Sequence, residues 1–296
     1  MTVRQLAWSR TGRAPHLVLL VTCAGLACGL ASGWGVRVAA QSAQSPPAPF
    51  GKAPSFDVVV PVFTDADIAR FTTTLDSLLS TRPAAASSLD DAAIWDVARG
   101  LQTGRLSASQ EARVHGALTS AAGRNPSSAA LASRVWNMVD TLTVGKPAPD
   151  ITGRDLDGAE FRLSDYHGKV VALIFSGEWC GICRTQYPYE RLLLELYKNW
   201  PFAILGVDSD ADRDATRKAM ADRGLTYRTW WDGYLPDNTG GPIATDWDVT
   251  GWPTVYVIDP AGVIRFVDLR QEDLLKGVRQ LLTDPTHSVV STNGRK

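Results

Sequence analysis

Hydrophobic residues recur at helical spacing between positions 64 and 143, where the alternation of apolar and polar residues typical of strands is absent. Two helical faces follow from this spacing: Ile94, Val97, Ala98 and Leu101, and then Leu131, Val135, Met138 and Leu142. Ser107 followed three residues later by Gln110 matches a capping box, which marks the start of a helix. Residues 64–143 are therefore predicted to form a small all-α domain of about four short helices, of unknown role.

After Pro147 the pattern changes to short apolar runs that alternate with amphipathic segments. Strands are predicted at 151–154, 160–163, 169–176, 202–207, 227–231, 254–258 and 263–267, and helices at 180–200, 212–223 and 272–282. Residues 170–175 are all apolar, which is typical of a central strand buried on both faces. The pattern predicts an α/β domain over residues 144–285, with a mixed sheet flanked by helices.

The first 40 residues have the pattern of a targeting segment. Arg4, Arg10 and Arg13 precede an uncharged stretch over residues 17–36, and Val38-Ala39-Ala40 supplies small residues for cleavage. Four glycines dilute the stretch, which favours a cleavable signal peptide over an N-terminal membrane anchor, and a lipoprotein is favoured least. All three interpretations predict that the rest of the chain lies outside the cytoplasm, in the bacterial periplasm or on the outer face of the membrane.

Composition and charge narrow the choice of partners. The chain has 296 residues, of which 45% are hydrophobic and 21% charged, as in ordinary globular proteins. The formal net charge is −1, and the arginines of the first 40 residues leave the remainder mildly acidic, so no nucleic-acid partner is expected. Residues 41–63, which are rich in Pro, Ala and Ser, are predicted to be a linker, and residues 286–296 a flexible tail.

Two cysteines outside the targeting segment, Cys180 and Cys183, have the spacing C-x-x-C where a buried strand meets the next predicted helix. Unpaired N–H groups and the helix dipole stabilise a thiolate at such a position. Cys180 is therefore predicted to be the exposed nucleophile, and Cys183, one helical turn later, to resolve a mixed disulfide. No cofactor is expected besides the redox-active disulfide Cys180–Cys183.

Three segments resemble the thioredoxin superfamily, and most closely its TlpA/ResA-like thiol–disulfide oxidoreductases, which are grouped with the AhpC/TSA "redoxin" domains. Residues 178–183 (EWCGIC) resemble the family's W-C-G-x-C motif, and residues 251–254 (GWPT) resemble its cis-proline loop. Residues 202–223 resemble the strand–helix insertion of TlpA-like domains. The resemblance covers about residues 144–285 and implies a thioredoxin-like fold.

The resemblance also implies partners and site residues. It predicts exchange with protein thiols and disulfides and an upstream electron donor. By this resemblance, four residues are expected to bind substrate: Trp179, Trp252, Pro253 and Thr254. Thioredoxins bury an acid six residues before the first cysteine, and this chain has Ile174 there, so Glu178 is the candidate for proton transfer.

Other interpretations of the C-x-x-C pair have specific requirements. Zinc needs four ligands, and outside the first 40 residues the chain adds only three histidines, His115, His167 and His287. An AhpC/TSA-type peroxidase uses Thr or Ser three residues before its reactive cysteine, where this chain has Gly177. A non-enzymatic partner-binding protein with a redox switch is the third alternative, and measured turnover separates these possibilities.

Two further sets of residues have a structural and a functional interpretation. The acids Asp208, Asp210, Asp212 and Asp214 lack the glycine and the final glutamate of a calcium loop, so a solvated turn and helix start are predicted. Two of four tryptophans are predicted to be core residues and the others to line a substrate groove: Trp230, Trp231, Trp247 and Trp252. The segment 64–143 carries no cysteine, so it is predicted to be dispensable for redox chemistry and to affect partner choice.

Overall fold

The computed structural model describes residues 57–86, 91–233 and 240–284. The predicted targeting segment, most of the predicted linker and the predicted tail lie outside these residues. Among the described helices, none combines the length and the apolar character that crossing a bilayer requires.

The first described region is helical, as the spacing predicts. Its α-helices are α1 (Asp65–Thr81), α2 (Ala92–Gln102), α3 (Ala108–Arg124) and α4 (Ala129–Thr141). The predicted capping box is present at the start of α3: the Gln110 N–H donates to Ser107 Oγ, and the Ser107 N–H donates to Gln110 Oε1 at 2.9 Å. Reciprocal bonds of this kind satisfy donors that the helix itself leaves unpaired.

The second region contains a five-stranded mixed sheet. A small antiparallel pair comes first, formed by β1 (Thr152–Arg154) and β2 (Glu160–Arg162). The main strands are β3 (Val170–Ser176), β4 (Phe202–Asp208), β5 (Arg228–Trp231), β6 (Thr254–Ile258) and β7 (Ile264–Val267). The order is β5-β4-β3-β6-β7, with β3, β4 and β5 parallel and β6 and β7 antiparallel. The predicted mixed sheet flanked by helices is confirmed.

Alternate residues of β3 belong to two different apolar clusters, because successive side chains of a strand point to opposite faces. Val171, Leu173 and Phe175 belong to the cluster that includes the buried residues of α1–α4. Val170, Ala172 and Ile174 belong to the other cluster, with residues of the helices on the opposite face. The N-terminal helices thus share a core with one face of the sheet.

The remaining helices are α5 (Gly181–Arg184), α6 (Tyr187–Leu196), α7 (Arg213–Arg223), α8 (Pro242–Asp246) and α9 (Gln271–Thr283). The prediction of one continuous helix over 180–200 is wrong, because α5 and α6 are separate. Pro188 lies in the first turn of α6, and its ring nitrogen has no hydrogen to donate to the preceding turn. The short α8 was not predicted from the sequence.

Candidate active site

Cys180 lies at the start of α5, just beyond the end of β3, as the motif predicts. The backbone N–H of Cys183 points to Cys180 Sγ at 3.1 Å, which places a donor where a thiolate would form. Cys180 and Cys183 form a disulfide, with their Cα atoms 5.2 Å apart. A helix start therefore positions the pair and brings a backbone N–H to the first sulfur.

The two cysteines differ in access to solvent. Cys180 is 7% exposed and Cys183 1% exposed, so the predicted exposed nucleophile is only slightly accessible. The surface beside them is apolar, because Trp179 and Ile182 are more than half exposed. The site thus presents a small part of Cys180 beside two exposed apolar side chains.

The loop before β6 lies against Cys180. The Trp252–Pro253 peptide bond is cis, as the resemblance implies, and the carbonyl oxygen of Trp252 lies 3.6 Å from Cys180 Sγ. Arg270 donates to the carbonyl oxygen of Pro253 at 2.7 Å. The Thr254 hydroxyl donates to the carbonyl of Gly251 at 2.7 Å, so this predicted binding residue uses its side chain within the loop.

Three tryptophans around the site are held by Ser209 and Asp210, which follow β4. The Trp179 indole N–H donates to the Ser209 carbonyl at 3.3 Å, and the Trp252 indole N–H to Ser209 Oγ at 3.2 Å. The Trp231 indole N–H donates to the Asp210 carbonyl at 2.9 Å. The sequence analysis missed Ser209, although it follows a strand parallel to β3 and so lies at the same sheet edge.

Two of the four tryptophans are core residues, as predicted. Trp230 and Trp247 are buried, whereas Trp231 is 38% exposed and Trp252 half-buried. The rings of Trp179 and Trp252 meet edge to face, with their centroids 5.5 Å apart. The two rings thus form an aromatic surface beside Cys180.

The predicted proton-transfer residue, Glu178, is held between two partners. Tyr187 donates its hydroxyl to Glu178 Oε2 at 3.0 Å, and Arg223 forms an ion pair with Oε1. The Glu178 side chain is 29% exposed, and Ile174 is buried in the sheet. Burial, and then the Glu178 charge, raise the pKa of Tyr187, so this hydroxyl stays protonated as a donor.

Two buried acids lie among the same elements. Tyr227 donates to Glu190 at 2.9 Å, and burial raises the pKa of Glu190 to about 7. Asp208 is 6% exposed, so the predicted solvated turn is wrong at this residue, although Asp212 and Asp214 are exposed. Burial, and then the neighbouring Asp210, raise the pKa of Asp208. The sequence analysis missed this burial because it ended the strand at residue 207, whereas β4 includes Asp208 as its last residue.

Metal-ligating side chains do not gather elsewhere in the described residues. Within 57–86, 91–233 and 240–284, no group of three or more His, Cys, Asp or Glu side chains has the geometry to hold a metal ion.

A C-x-x-C disulfide at a helix start, facing a cis-proline loop on a mixed sheet, defines a thioredoxin-like redox protein. The model of the AhpC/TSA family matches residues 144–267. The thiol–disulfide oxidoreductase ResA of Geobacillus kaustophilus is 34% identical over 124 residues, which cover 42% of this chain and 68% of that protein. ResA of Bacillus subtilis is 27% identical over 139 residues, which cover 46% of this chain and 74% of that protein.

Solved structures are also similar to part of this chain. The thioredoxin domain of a thiol–disulfide oxidoreductase from Bacteroides vulgatus has 28% identity and a TM-score of 0.43, covering 48% of this chain and 99% of that one. A secreted thiol–disulfide isomerase from Corynebacterium glutamicum has 25% identity and a TM-score of 0.41, covering 46% and 85%. On its ResA relatives, the chain belongs to the TlpA/ResA-like thiol–disulfide oxidoreductases of the thioredoxin superfamily.

Proposed function

We propose that this oxidoreductase exchanges disulfides with protein substrates through Cys180 and Cys183, outside the cytoplasm. The observation that carries the proposal is the placement of Cys180 Sγ. It lies 3.1 Å from the Cys183 backbone N–H and 3.6 Å from the Trp252 carbonyl oxygen. The Cys183 N–H stabilises a thiolate at Cys180. The Trp252 carbonyl belongs to a stretch of backbone with which a substrate peptide can pair.

In the reducing direction the steps balance as follows. The Cys180 thiolate attacks one sulfur of a substrate disulfide, the substrate S–S bond breaks, and one substrate thiolate leaves. The Cys183 thiolate then attacks Cys180 Sγ, forms the Cys180–Cys183 disulfide and releases the second substrate thiolate. Two electrons have moved to the substrate, and an upstream thiol donor must restore the reduced pair. The oxidising direction is the same sequence reversed.

The substrate surface proposed here is the loop with Trp252 and Pro253, together with the Trp179 ring. Trp252 offers backbone groups to an extended peptide, and the exposed part of Trp179 offers apolar area. Thr254 supports this surface through its bond to Gly251. A polypeptide that carries a thiol or a disulfide fits such a surface, because it has both backbone hydrogen-bonding groups and apolar side chains.

Glu178 is proposed to assist proton transfer during the second step. Its carboxylate lies two residues before Cys180 and accepts a hydrogen bond from Tyr187. Cys183 must lose its proton before it attacks, and a carboxylate can accept such a proton.

A location outside the cytoplasm is proposed from the sequence of residues 1–40. Their basic start, apolar core and small residues before position 41 match an export signal or an N-terminal anchor through residues 17–36. A disulfide-exchange pair also suits a compartment where protein disulfides persist.

The test is turnover combined with trapping, in full-length protein with Cys23 and Cys28 replaced by Ser. This protein should reduce insulin disulfides, and Cys183→Ser should lose turnover while accumulating a mixed disulfide through Cys180. The control Cys180→Ser should form no such adduct. Consumption of peroxide without insulin reduction would favour the peroxidase, and absence of both would favour the partner-binding protein.

A further inference from the structure

The N-terminal helices hold the loop that leads to Pro253. Asp248, in this loop, is 6% exposed, and both of its carboxylate oxygens are bound by side chains of α4. Arg134 Nε donates to Oδ1 at 2.8 Å, and Asn137 Nδ2 donates to Oδ2 at 2.8 Å. A nearly buried carboxylate with two such donors fixes its position, because leaving it unpaired is costly.

A second attachment comes from α2. Arg99 Nη1 donates to Thr250 Oγ1 at 2.9 Å. A Cβ atom placed on Gly251 would lie 3.2 Å from the same Nη1, so the guanidinium packs closely on the loop backbone. Arg99 therefore contacts the two residues immediately before Trp252.

The backbone at Asp248 has an unusual conformation. Its φ angle is +45°, in the left-handed region, which non-glycine residues adopt at a cost. The preceding Trp247 is buried beside Phe175 and Tyr256, with ring centroids 5.6 Å and 5.0 Å away. The loop thus leaves the core in an unusual conformation, and its first residue after Trp247 is bound by α4.

We propose that Arg99, Arg134 and Asn137 are positioning residues for substrate binding, and that the N-terminal helices are part of the active-site structure. The inference rests on the proposed role of the Trp252–Pro253 loop. Trp252 lies two residues after Thr250 and four after Asp248, so loss of either attachment lets its carbonyl move relative to Cys180 Sγ. Small displacements of a binding group have large effects on rate, about a hundredfold for 1 Å at the extreme.

The test compares two matched arginines in full-length protein. Arg134 and Arg113 are both half-exposed, and each pairs with an aspartate, but Arg113 pairs with Asp65 within the helical region, away from the loop. Kinetics with insulin give kcat and KM, and the rate of reaction with a small aromatic disulfide reports on Cys180 alone. Unfolding midpoints control for loss of stability.

Arg134→Ala and Arg99→Ala are expected to raise KM for insulin about threefold to tenfold, with rates on the small disulfide within about twofold of the parent. Arg134→Lys should restore much of the loss, because it keeps a cation beside Asp248. Arg113→Ala should leave both substrates unchanged. If Arg134→Ala folds poorly, Arg99→Ala decides alone.

The outcomes separate the inference from the proposed function. Equal KM values for Arg134→Ala, Arg99→Ala and Arg113→Ala would overturn the inference while the function stands. Equal losses on insulin and on the small disulfide would also overturn it, because they indicate damage to the cysteine pair itself. Failure of the parent protein to reduce insulin through Cys180 would overturn the proposed function, and the inference with it.

Discussion

The helical region and the sheet region contribute to the candidate active site in different ways. The sheet region supplies adjacent groups, with Cys180 following β3 and Ser209 following the parallel strand β4. The helical region supplies isolated side chains: Arg99 on α2 donates to Thr250, and Arg134 on α4 donates to Asp248, both in the loop before Trp252. The C-x-x-C motif after β3 is therefore visible in the sequence, whereas Ser209 and the loop contacts of the two arginines depend on segments far apart in the chain.

Deletion of the helical region should have the largest effect. A chain beginning at residue 144 exposes four large core residues, Leu173, Phe175, Trp247 and Tyr256, which share a cluster with α1–α4. Each buried side chain of this size contributes about 1.5–3 kcal/mol, and a whole domain is stable by only about 5–15 kcal/mol. We expect the truncated chain to lose cooperative unfolding in urea, measured by tryptophan fluorescence.

The control is a chain that begins at residue 42 and keeps all described helices. The sequence analysis predicts that residues 64–143 are dispensable, and the shared core predicts the opposite. A truncated chain with the same urea midpoint as the control would show that the two regions are separable.

A cavity in either region tests whether they unfold as one unit. Leu101 in α2 and Leu274 in α9 are both fully buried, in different clusters. Leu101→Ala and Leu274→Ala should each lower the free energy of unfolding by about 2–5 kcal/mol, in a single transition. Leu192→Ala, at a 42% exposed position, should change it by less than about 0.5 kcal/mol. Two separate transitions in Leu101→Ala would contradict a shared unit.

Glu190 makes the sheet region sensitive to pH. Its pKa is raised to about 7 in the folded protein from an ordinary value of 4.5, so folding favours the protonated form. This contribution to stability is complete below pH 4.5 and is lost as pH rises through 7. Glu190→Gln should remove this loss of stability at high pH, because glutamine does not ionise. The variant should be more stable than the parent by up to about 3 kcal/mol at pH 8.

Urea unfolding at pH 5 and pH 8 measures this difference. Glu195→Gln on the same helix is the control, because the Glu195 side chain is 73% exposed. Asp208 contributes pH dependence of the same sign, so some slope should persist in Glu190→Gln. An identical slope in the parent and the variant would contradict the buried-acid assignment.

The smallest expected effects come from one helix cap in each region. Ser107 caps α3, and Asp212 caps α7 by accepting from the N–H groups of Asp214 and Ala215. Ser107→Ala and Asp212→Ala should each cost about 1 kcal/mol, whereas Ser107→Thr should cost little because the hydroxyl remains. Thermal unfolding measures these costs, and a Ser107→Ala protein as stable as the parent would argue against the cap.

Local signals account for most of the correct predictions. The apolar run of β3, the capping box at Ser107 and the C-x-x-C spacing each depend on residues close in sequence. The break between α5 and α6 was missed although Pro188 marks it, because the apolar spacing continues past the proline. Helix α8, with only five residues, is too short to give a periodic signal.

The missing parts of the site depend on contacts between distant segments. Arg99 and Thr250 are 151 residues apart, and Trp179 and Ser209 are 30 apart. The burial of Asp208 depends on the sheet that covers it. A single sequence contains no pairing information at these separations, so Arg99, Thr250 and Ser209 look like ordinary surface polar residues.

The two-sided character of β3 has a consequence for anyone grafting this redox unit onto another scaffold. Val171, Leu173 and Phe175 face the cluster shared with the N-terminal helices, and the same strand leads to Cys180. A transplanted unit therefore needs either a new hydrophobic cover or polar replacements on that face of β3. Either change alters side chains of the strand that leads to Cys180.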